Sequence, residues 1–400
     1  MLDGVTVLDL TQYFAGPWCS RLLAELGADV IKVELAPGGD PSRILPISRE
    51  GRSGYYVQQN RGKRAICVDF DRPESWTLLR RLAGEVDIVV ENFGPGVLER
   101  RGLDHASLSA EHPRLIMASI SAFGRQGPWS HKVGYDQVAQ AVSGLMALTG
   151  EPEGAPVFAG IPVADGSSGV HAFAGLGWAM YHRERTGQGQ HLDIAMVDSL
   201  FCWHVFAVQG HSLTGGEYRQ ARSGGHSPAA APSGVFRGPQ GWIVVLVLDR
   251  QWPRFCEAIG RPELVDDPRY ATGADRVARR AEVNALLEGW MAAFPTDEEV
   301  IAALDRHRIP AAPVLGAEEA FGHDYFVDRG LIVRVDDPIL GEVAVPGLPL
   351  KFGALPAREP VRAPLLGEHN NAVLTGLLGL SAEEVAAYRE LGVLYEAPDR

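Results

Sequence analysis

The sequence predicts an α/β fold built on a parallel sheet of the doubly wound type, with a second, smaller α/β domain. Short aliphatic strand candidates alternate with helical segments through the first third of the chain, a pattern typical of parallel sheets. A hydrophobic share of 46% and a charged share of 22% are ordinary for a globular protein. The 400 residues are enough for about two to three domains.

The elements of the first third are recognised by their periodicity and their stop signals. The helix candidates carry apolar residues at helical spacing, and Gly27 is a suitable C-terminal stop for the first of them. The predicted strands are 5–10, 30–34, 63–68, 86–90 and 115–120, and the predicted helices are 17–26 and 76–82. Because strands and helices alternate, we expect the strands to form one parallel sheet.

The junction after the first strand, residues 11–17, reads TQYFAGP and lacks the G-x-G-x-x-G spacing. The missing glycines count against a nicotinamide dehydrogenase, because that fingerprint lets the backbone approach a pyrophosphate. The sequence also contains no P-loop, no G-x-S-x-G elbow and no H-E-x-x-H pair. The twelve histidines are dispersed, so no metal site is predicted.

The second half of the chain predicts a smaller domain and a return to the first. A helical region at 168–209, interrupted by a strand-like segment at 191–195, precedes a Gly-, Ser-, Ala- and Pro-rich connection at 215–234. Further strands are predicted at 233–236, 241–247, 332–335 and 341–345, and further helices at 251–259, 274–294, 297–307 and 381–391. The predicted domain segments are 1–215, 222–325 and 331–400, the middle one being the smaller domain.

Charge and cysteine usage restrict the partners and the compartment. A formal net charge of −13 disfavours nucleic acid and anionic membranes as partners. The four cysteines are scattered without a C-x-x-C pair, which is typical of reduced thiols in a cytoplasmic protein. No apolar run approaches the roughly 18 residues of a membrane span, and the first residues do not resemble a signal peptide.

One segment stands out as a possible site of chemistry. Asp165 ends an apolar run and is followed by four small residues, 166–169, and then by a helical apolar pattern. A carboxylate at the N-terminus of a helix lies near backbone N–H groups that have no partner inside the helix. The small residues would let a ligand approach. Such a carboxylate can serve as a nucleophile or simply as an N-cap, and the cap is the commoner role for an isolated Asp.

The chain resembles the class III coenzyme A transferases, the family of the formyl-CoA:oxalate, carnitine and bile-acid CoA transferases. The resemblance runs through ordered segments over nearly the whole chain. These segments are 2–10, 15–17, 26–34, 39–43, 60–64, 91–96, 134–136, 149–152, Asp165, 186–190 and 363–369. Each segment is a weak signal by itself, and the ordered set is a strong one.

The resemblance implies that Asp165 is the nucleophile of a CoA transferase that forms a covalent aspartyl-CoA intermediate. It implies further site roles for Tyr135, Asp136, Gly224 and Gly225. The implied CoA-binding residues are Tyr13, Phe14, Ala15, Lys63, Arg64, Asn92, Phe93 and Arg100. For the three cations the alternative is a solvated surface charge, and for Phe93 it is a core position. The substrates would be acyl-CoA and small carboxylic acids, with no permanently bound cofactor or metal.

The family architecture implies a large domain formed by both chain termini and a small domain in the middle. Family members are interlocked homodimers, so the resemblance implies an interlocked dimer with the active site between the subunits. The Pro-rich segment at about 331–364 would be the strap that returns the chain to the large domain.

Two departures from the family limit the assignment. Racemases of the same fold carry a His where this chain has Tyr135, and a Tyr with a pKa near 10 exchanges protons poorly at neutral pH, which favours transfer over racemisation. Asp136 is either an acid of the site or a cap of the helix that follows it.

The second departure is the loop 222–232, which carries only two glycines and His226. The side chain of His226 could bind the acceptor carboxylate or have no role in binding. A 2-methylacyl-CoA racemase and a non-catalytic CoA-ester-binding protein remain the alternatives.

Overall fold

The computed structural model describes residues 1–354 and 359–396 and divides the chain into two compact units. The first unit comprises Met1–Leu145, Phe158–Val205 and Asp324–Arg400, and therefore contains both chain ends. The second unit comprises Met146–Val157 and Phe206–His323. Each unit has its own sheet and core, and each is described here by itself.

The described chain alternates between strands and helices over most of its length. The strands are β1 (Thr6–Leu10), β2 (Asp29–Leu35), β3 (Ser48–Arg49), β4 (Arg52–Ser53), β5 (Arg64–Val68), β6 (Ile88–Glu91), β7 (Ile116–Ser121), β8 (His191–Ala195), β9 (Ser233–Arg237), β10 (Trp242–Leu246), β11 (Ala311–Pro313), β12 (Ile332–Asp337) and β13 (Gly341–Pro346). The helices are α1 (Ala15–Glu25), α2 (Gly54–Asn60), α3 (Pro73–Gly84), α4 (His105–Ser109), α5 (Asp136–Val142), α6 (Leu145–Leu148), α7 (Val163–Thr186), α8 (Met196–Phe201), α9 (Ala207–Leu213), α10 (Trp252–Ala258), α11 (Gly273–Ala278), α12 (Arg280–Met291), α13 (Asp297–Arg306), α14 (Ala317–Gly322), α15 (Asp324–Asp328), α16 (Asn370–Leu378) and α17 (Ala382–Glu390).

The large sheet confirms the predicted parallel α/β fold. Its six strands lie in the order β5-β2-β1-β6-β7-β8, and every neighbouring pair is parallel. The order reverses at β1, because β2 and β5 lie on one side of it and β6, β7 and β8 lie on the other. In open parallel sheets, ligands bind at such a reversal, beyond the carboxyl ends of the strands. By that rule, the expected ligand-binding crevice of this sheet lies at the ends of β1 and β6.

Both faces of the sheet are covered, which explains the aliphatic runs in its strands. Successive side chains of a strand point to opposite faces. Leu8 belongs to a core formed with α3, α16 and α17, while its neighbour Val7 belongs to a second core formed with α1 and α7. Both side chains are fully buried. A strand that is buried on both faces needs apolar residues at nearly every position, rather than at every second one.

Helices α1 and α7 pack very closely, and small residues make this possible. A Cβ atom on Gly169 would lie 2.6 Å from the carbonyl oxygen of Ala15 and 2.8 Å from Cδ1 of Trp18. Helix α7 begins at Val163, five residues before the predicted helical region, so the small residues at 166–169 lie inside its first two turns. Gly169 therefore serves helix packing rather than the approach of a ligand.

The second unit is smaller and antiparallel. Its sheet has the order β11-β10-β9, with Val245 opposite Gly234 in the β9–β10 pair. Helices α10, α12 and α13 contribute Phe255, Leu287 and Leu304 to its core. The helix predicted at 274–294 is instead two helices, α11 and α12, separated by Arg279.

The Pro-rich return segment forms the antiparallel hairpin β12–β13 of the first unit. It is fixed there by the buried ion pair of Arg52 and Asp337, whose Nη2 and Oδ2 atoms lie 2.8 Å apart. The part of the predicted strap at 355–358 lies outside the described residues. Within 1–354 and 359–396, no helix is both long enough and apolar enough to cross a membrane.

Candidate active site

The crevice at the reversal of the sheet is formed by the turn after β1 and the end of β6. Asn92, which directly follows β6, joins the two. Its Oδ1 accepts the N–H of Gln12 at 2.9 Å, and its Nδ2 donates to the carbonyl of Gln12 at 2.9 Å. This reciprocal pair uses the whole amide of Asn92 to hold the turn in register with β6.

The turn itself is held in an unusual backbone conformation. Tyr13 has a φ of 64°, in the left-handed region that few residues other than glycine adopt. Its N–H donates to Oδ1 of Asp40 at 3.3 Å, and the carboxylate of Asp40 is fixed in turn by Nζ of Lys32 at 2.8 Å. Because strained residues persist only where their surroundings enforce them, and concentrate at functional sites, Tyr13 supports a ligand site at this turn.

A second buried ion pair lies beneath the turn. Nζ of Lys63 donates to Oδ2 of Asp9 at 2.9 Å, to the carbonyl of Pro17 at 3.1 Å and to Oδ1 of Asn60 at 2.9 Å. Burial raises the pKa of Asp9, but the ammonium groups of Lys63 and Lys32 outweigh it and hold that pKa well below its ordinary value. The ammonium of Lys63 therefore anchors the turn, and a contact with CoA phosphate remains only a prediction.

Asp165 is the third residue of α7, and the N-cap of this helix is Pro162. The expectation that Asp165 caps its own helix is therefore wrong. The capping group comes from Asp136, whose Oδ1 accepts the N–H groups of Ala164 at 2.7 Å and Asp165 at 3.1 Å. Asp136 is the first residue of α5, so it does not cap that helix; its carboxylate is used by α7 instead.

The carboxyl group of Asp165 has a pKa near neutral pH. Burial raises its pKa to about 7, and the negative charge of Asp136 adds to that rise. A helix N-terminus favours the anion by only about 0.3–1 kcal/mol, so the expected stabilisation of the anion is overcome. The site therefore contains an acid that changes its charge in the physiological range.

Asp165→Asn is expected to stabilise the protein at pH 8. Between the ordinary pKa of 3.8 and about 7, the folded protein keeps a proton that the unfolded chain releases, so stability falls as pH rises through this window. Asparagine carries no such cost. We expect a gain in the free energy of unfolding of about 1–3 kcal/mol at pH 8 and none at pH 4. Urea unfolding at both pH values measures it, and an equal difference at both would contradict the explanation.

Aromatic side chains surround Asp165 on the side of the turn. Phe14 lies beside the first turn of α7, with Cε1 3.6 Å from the place of a Cβ on Gly166, and its ring centroid is 6.4 Å from that of Tyr55. The ring of Tyr13 meets that of Tyr135 edge-on at 6.1 Å, and Tyr135 is 68% exposed. The first turn of α7 therefore has aromatic rings beside it, and Tyr55 among them carries a hydroxyl group.

Tyr55 is a site residue that the sequence did not indicate. Burial raises its pKa, and the nearby charge of Asp165 raises it further, which places its phenol within electrostatic reach of the carboxyl group. It lies in the short helix α2, which was not predicted. The sequence around Tyr55 contains no motif that links it to Asp165. Only the folded structure shows that the two side chains are close.

The backbone N–H groups that follow Asp165 are already engaged within α7. The N–H of Gly166 donates to the carbonyl of Pro162 at 2.9 Å, and the next two residues lie within α7. In contrast, Ala15 and Gly16 begin α1, whose first N–H groups have no partner inside the helix and no side-chain cap. Donors for an anion are therefore offered by α1 rather than by α7.

Comparisons with known proteins decide the family. The family model described as CoA-transferase family III matches residues 2–370 of this chain. The chain belongs to CoA-transferase family III. It is 36% identical to the succinyl-CoA–D-citramalate CoA-transferase of Chloroflexus aurantiacus, over 96% of each chain. It is 36% identical to the succinate–glutarate CoA-transferase of Agrobacterium fabrum, over 94% of this chain and 95% of that protein.

Solved structures agree with this assignment. A crystal structure of a CAIB/BAIF family protein from Brucella suis superposes with a TM-score of 0.82 and 36% identity. The match covers 94% of this chain and 99% of the other. The α/β fold with its large parallel sheet is therefore that of a CoA transferase of family III, and this chain is an enzyme of that class.

The remaining CoA-binding candidates of this CoA transferase are not all brought to the crevice. Phe93 packs on Phe70 at 6.0 Å and so contributes to the core, as its alternative predicted. Arg64 begins β5 and pairs with Asp29, Nε to Oδ1 at 2.8 Å, towards the amino ends of the strands. Arg100 is exposed in the turn that follows β6.

The glycines of the predicted loop belong to the second unit. Gly224 has a φ of 61°, and a Cβ there would lie 2.8 Å from Oε2 of Glu151. The carbonyl of Gly225 accepts the N–H of Val235 at 2.8 Å, and the ring of His226 lies 5.1 Å from that of Phe236. These contacts give the loop a structural role within its unit, and its action on Asp165 stays a prediction.

Proposed function

We propose that this CoA transferase moves CoA from an acyl-CoA thioester to a carboxylic acid through a covalent aspartyl-CoA intermediate on Asp165. The observation that carries the proposal is the state of this carboxyl group. It lies in the first turn of α7, and its raised pKa is caused by burial and by Asp136, with no contribution from a hydrogen bond. Among the described residues, nothing donates to its oxygens, which leaves them available to a substrate.

The proposed reaction begins with attack of a carboxylate oxygen of Asp165 on the thioester carbonyl. The C–S bond breaks, CoA leaves as the thiolate, and a mixed anhydride remains. The thiolate then attacks the aspartyl carbonyl, and the donor acid leaves as its carboxylate. The acceptor carboxylate attacks the resulting aspartyl-CoA, and the released thiolate attacks the acceptor carbonyl of the second anhydride. This yields the new thioester and restores Asp165, so one difficult exchange becomes several easier ones.

Each tetrahedral intermediate needs hydrogen-bond donors for its oxyanion. The N–H groups of Ala15 and Gly16, which begin α1 and receive no side-chain cap, support this part of the proposal. The close packing of Gly169 on Ala15 brings the start of α1 next to the helix that carries Asp165. The phenol of Tyr55 and the exposed hydroxyl of Tyr135 are proposed to orient substrate carboxylates.

The proposed substrates are succinyl-CoA as donor and a small dicarboxylic acid as acceptor. The proposal is supported by the names of the two relatives, which pair succinate or succinyl-CoA with citramalate or glutarate. It is tested by incubating the protein with succinyl-CoA and each acid of a dicarboxylate panel and separating the thioesters by chromatography. A new thioester with release of succinate is expected. Exchange of the Cα proton of a 2-methylacyl-CoA in heavy water, without transfer, would favour a racemase instead.

The interlocked homodimer is likewise proposed rather than established. It is supported by large apolar side chains that the first unit leaves exposed, among them Trp178 at 73%, Tyr181 at 56% and Trp203 at 54%. The rings of Trp178 and Tyr181 are neighbours, with centroids 6.3 Å apart, and exposed apolar surface of this kind usually marks an interface. Sedimentation equilibrium is expected to give twice the mass of the chain, and a monomer at micromolar concentration would contradict the proposal.

A further inference from the structure

Two buried polar residues of α5 hold the segment that leads into α7. Asp136 is 4% exposed, and Gln140, one turn later, is fully buried. Nε2 of Gln140 donates to Oδ2 of Asp136 at 2.6 Å, and Oε1 of Gln140 accepts the N–H of Ala159 at 2.9 Å. With the bonds from Ala164 and Asp165 to Asp136, one face of α5 fixes this segment at both of its ends.

With a glutamine at position 140, the donors around this pair require a carboxylate at position 136. The backbone N–H groups of Ala159, Ala164 and Asp165 can only donate. The N–H of Ala159 therefore fixes which way the Gln140 amide points, so that its NH₂ faces Asp136. Oδ1 and Oδ2 of Asp136 both receive donors, and an ionised carboxylate is the acceptor-only group that suits them.

We propose that Asp136, oriented by Gln140, is a positioning residue that fixes the backbone of Asp165 and places an uncompensated negative charge beside the nucleophile. This inference rests on the proposed function: it assigns to Asp136 the control of the position and the ionisation of the nucleophile Asp165. The partners of Asp136 are neutral amides, whereas the charge of Asp40 is balanced by Lys32 at 2.8 Å.

The other titratable groups that the described residues place near Asp165 are phenols. They are the phenol of Tyr55 in α2 and, beyond it, Tyr13 in the first turn and Tyr135 before α5. Burial raises the pKa values of both Tyr55 and Tyr13 further above their ordinary range. Asp136 is therefore the charge that acts on Asp165 directly, adding to the effect of burial. A more basic carboxylate is a stronger nucleophile once it is ionised, at the cost of a smaller ionised fraction in acid.

A charge-relocation experiment separates the charge from the hydrogen bonds. In the double variant D136N/Q140E, the amide oxygen at 136 accepts from Ala164 and Asp165, and its NH₂ donates to the new carboxylate at 140. That carboxylate also accepts the N–H of Ala159, so every donor keeps an acceptor. The negative charge moves one helical turn along α5 while the fold is preserved.

The measurement is the ionisation of Asp165, followed by ¹³C NMR with aspartate labelled at the carboxyl carbon and assigned with Asp165→Asn. The same proteins give pH profiles of kcat/KM with succinyl-CoA. In the double variant, we expect the titration of Asp165 and the acidic limb of kcat/KM to move about one pH unit lower. An unmoved titration in a variant with an unchanged Tm would overturn the charge part of the proposal.

The variant Gln140→Ala tests whether Gln140 and Asp136 position Asp165. It also provides a test of the proposal if the double variant fails to fold. It keeps the charge at 136 but releases the orienting amide and the N–H of Ala159. We expect kcat to fall about tenfold while the titration of Asp165 moves by less than about 0.3 pH units. A kcat equal to that of the natural protein would overturn the positioning role. The NMR titration needs no substrate, so absence of transfer by the natural protein would refute the proposed function without deciding this test.

Discussion

Asp165→Ala is expected to lower the rate of CoA transfer by a factor of about 10³ or more. The substitution removes the oxygen that forms the covalent bond, and among the described residues the crevice offers the substrate no second carboxylate in the same place. The described groups that interact electrostatically with the carboxyl group of Asp165 are Tyr55 and Asp136, and Asp136 is committed to backbone donors. Chromatographic assay of the thioester product measures the loss.

Asp198→Ala is a matched control for this variant. Asp198 is the third residue of α8, as Asp165 is of α7, but it is exposed. Both variants remove an acid from the first turn of a helix, where a carboxylate lies near the positive end of the helix dipole. We expect the control to retain the activity of the natural protein. A loss of less than tenfold in Asp165→Ala would show that another group is the nucleophile.

Lys63→Met is expected to lower the free energy of unfolding by about 3–5 kcal/mol. Both side chains of the Asp9–Lys63 pair are fully buried, so removing the ammonium leaves the carboxylate of Asp9 in the core without its partner. Urea unfolding measures the effect. The double variant D9N/K63M removes both charges and is expected to recover much of the loss, because no uncompensated charge remains.

The exposed pair of Arg334 and Glu342 is the control for this prediction. Its two side chains are each 62% exposed, and Arg334→Met is expected to cost less than about 1 kcal/mol. The sequence-based role of Lys63 as a phosphate ligand predicts a different outcome. Lys63→Met would then keep the stability of the natural protein and raise the KM for acyl-CoA, and that combination would contradict the structural role.

The strands of the large sheet could be predicted closely from the sequence. The bounds of β1, β2 and β7 differ from the predicted ones by at most one residue at either end, because strands buried on both faces are aliphatic throughout. The beginning of α7 could not be predicted. Its capping group is Asp136, which lies 28 residues before Ala164 in sequence and reaches it only in the folded protein.

The site could be predicted in part, and the missing part has a common cause. Asp165 and the turn at 11–14 stand at the place where a doubly wound sheet binds ligands, and that place follows from the alternation of strands and helices. The direction in which a long side chain points does not follow from the alternation of strands and helices. Lys63 and Arg64 are adjacent in sequence, yet one reaches Asp9 in the core and the other Asp29 at the surface. Tyr55 was missed because short helices such as α2 leave little periodicity.

The central claim is a covalent bond between Asp165 and the substrate, and mass spectrometry tests it most directly. The purified protein is mixed with saturating succinyl-CoA without an acceptor, quenched, and measured intact and after digestion. The account predicts an adduct with the mass of CoA or of the acyl group on the peptide that contains Asp165, absent in Asp165→Ala. An adduct on another residue, or none while transfer proceeds at full rate, would contradict the account.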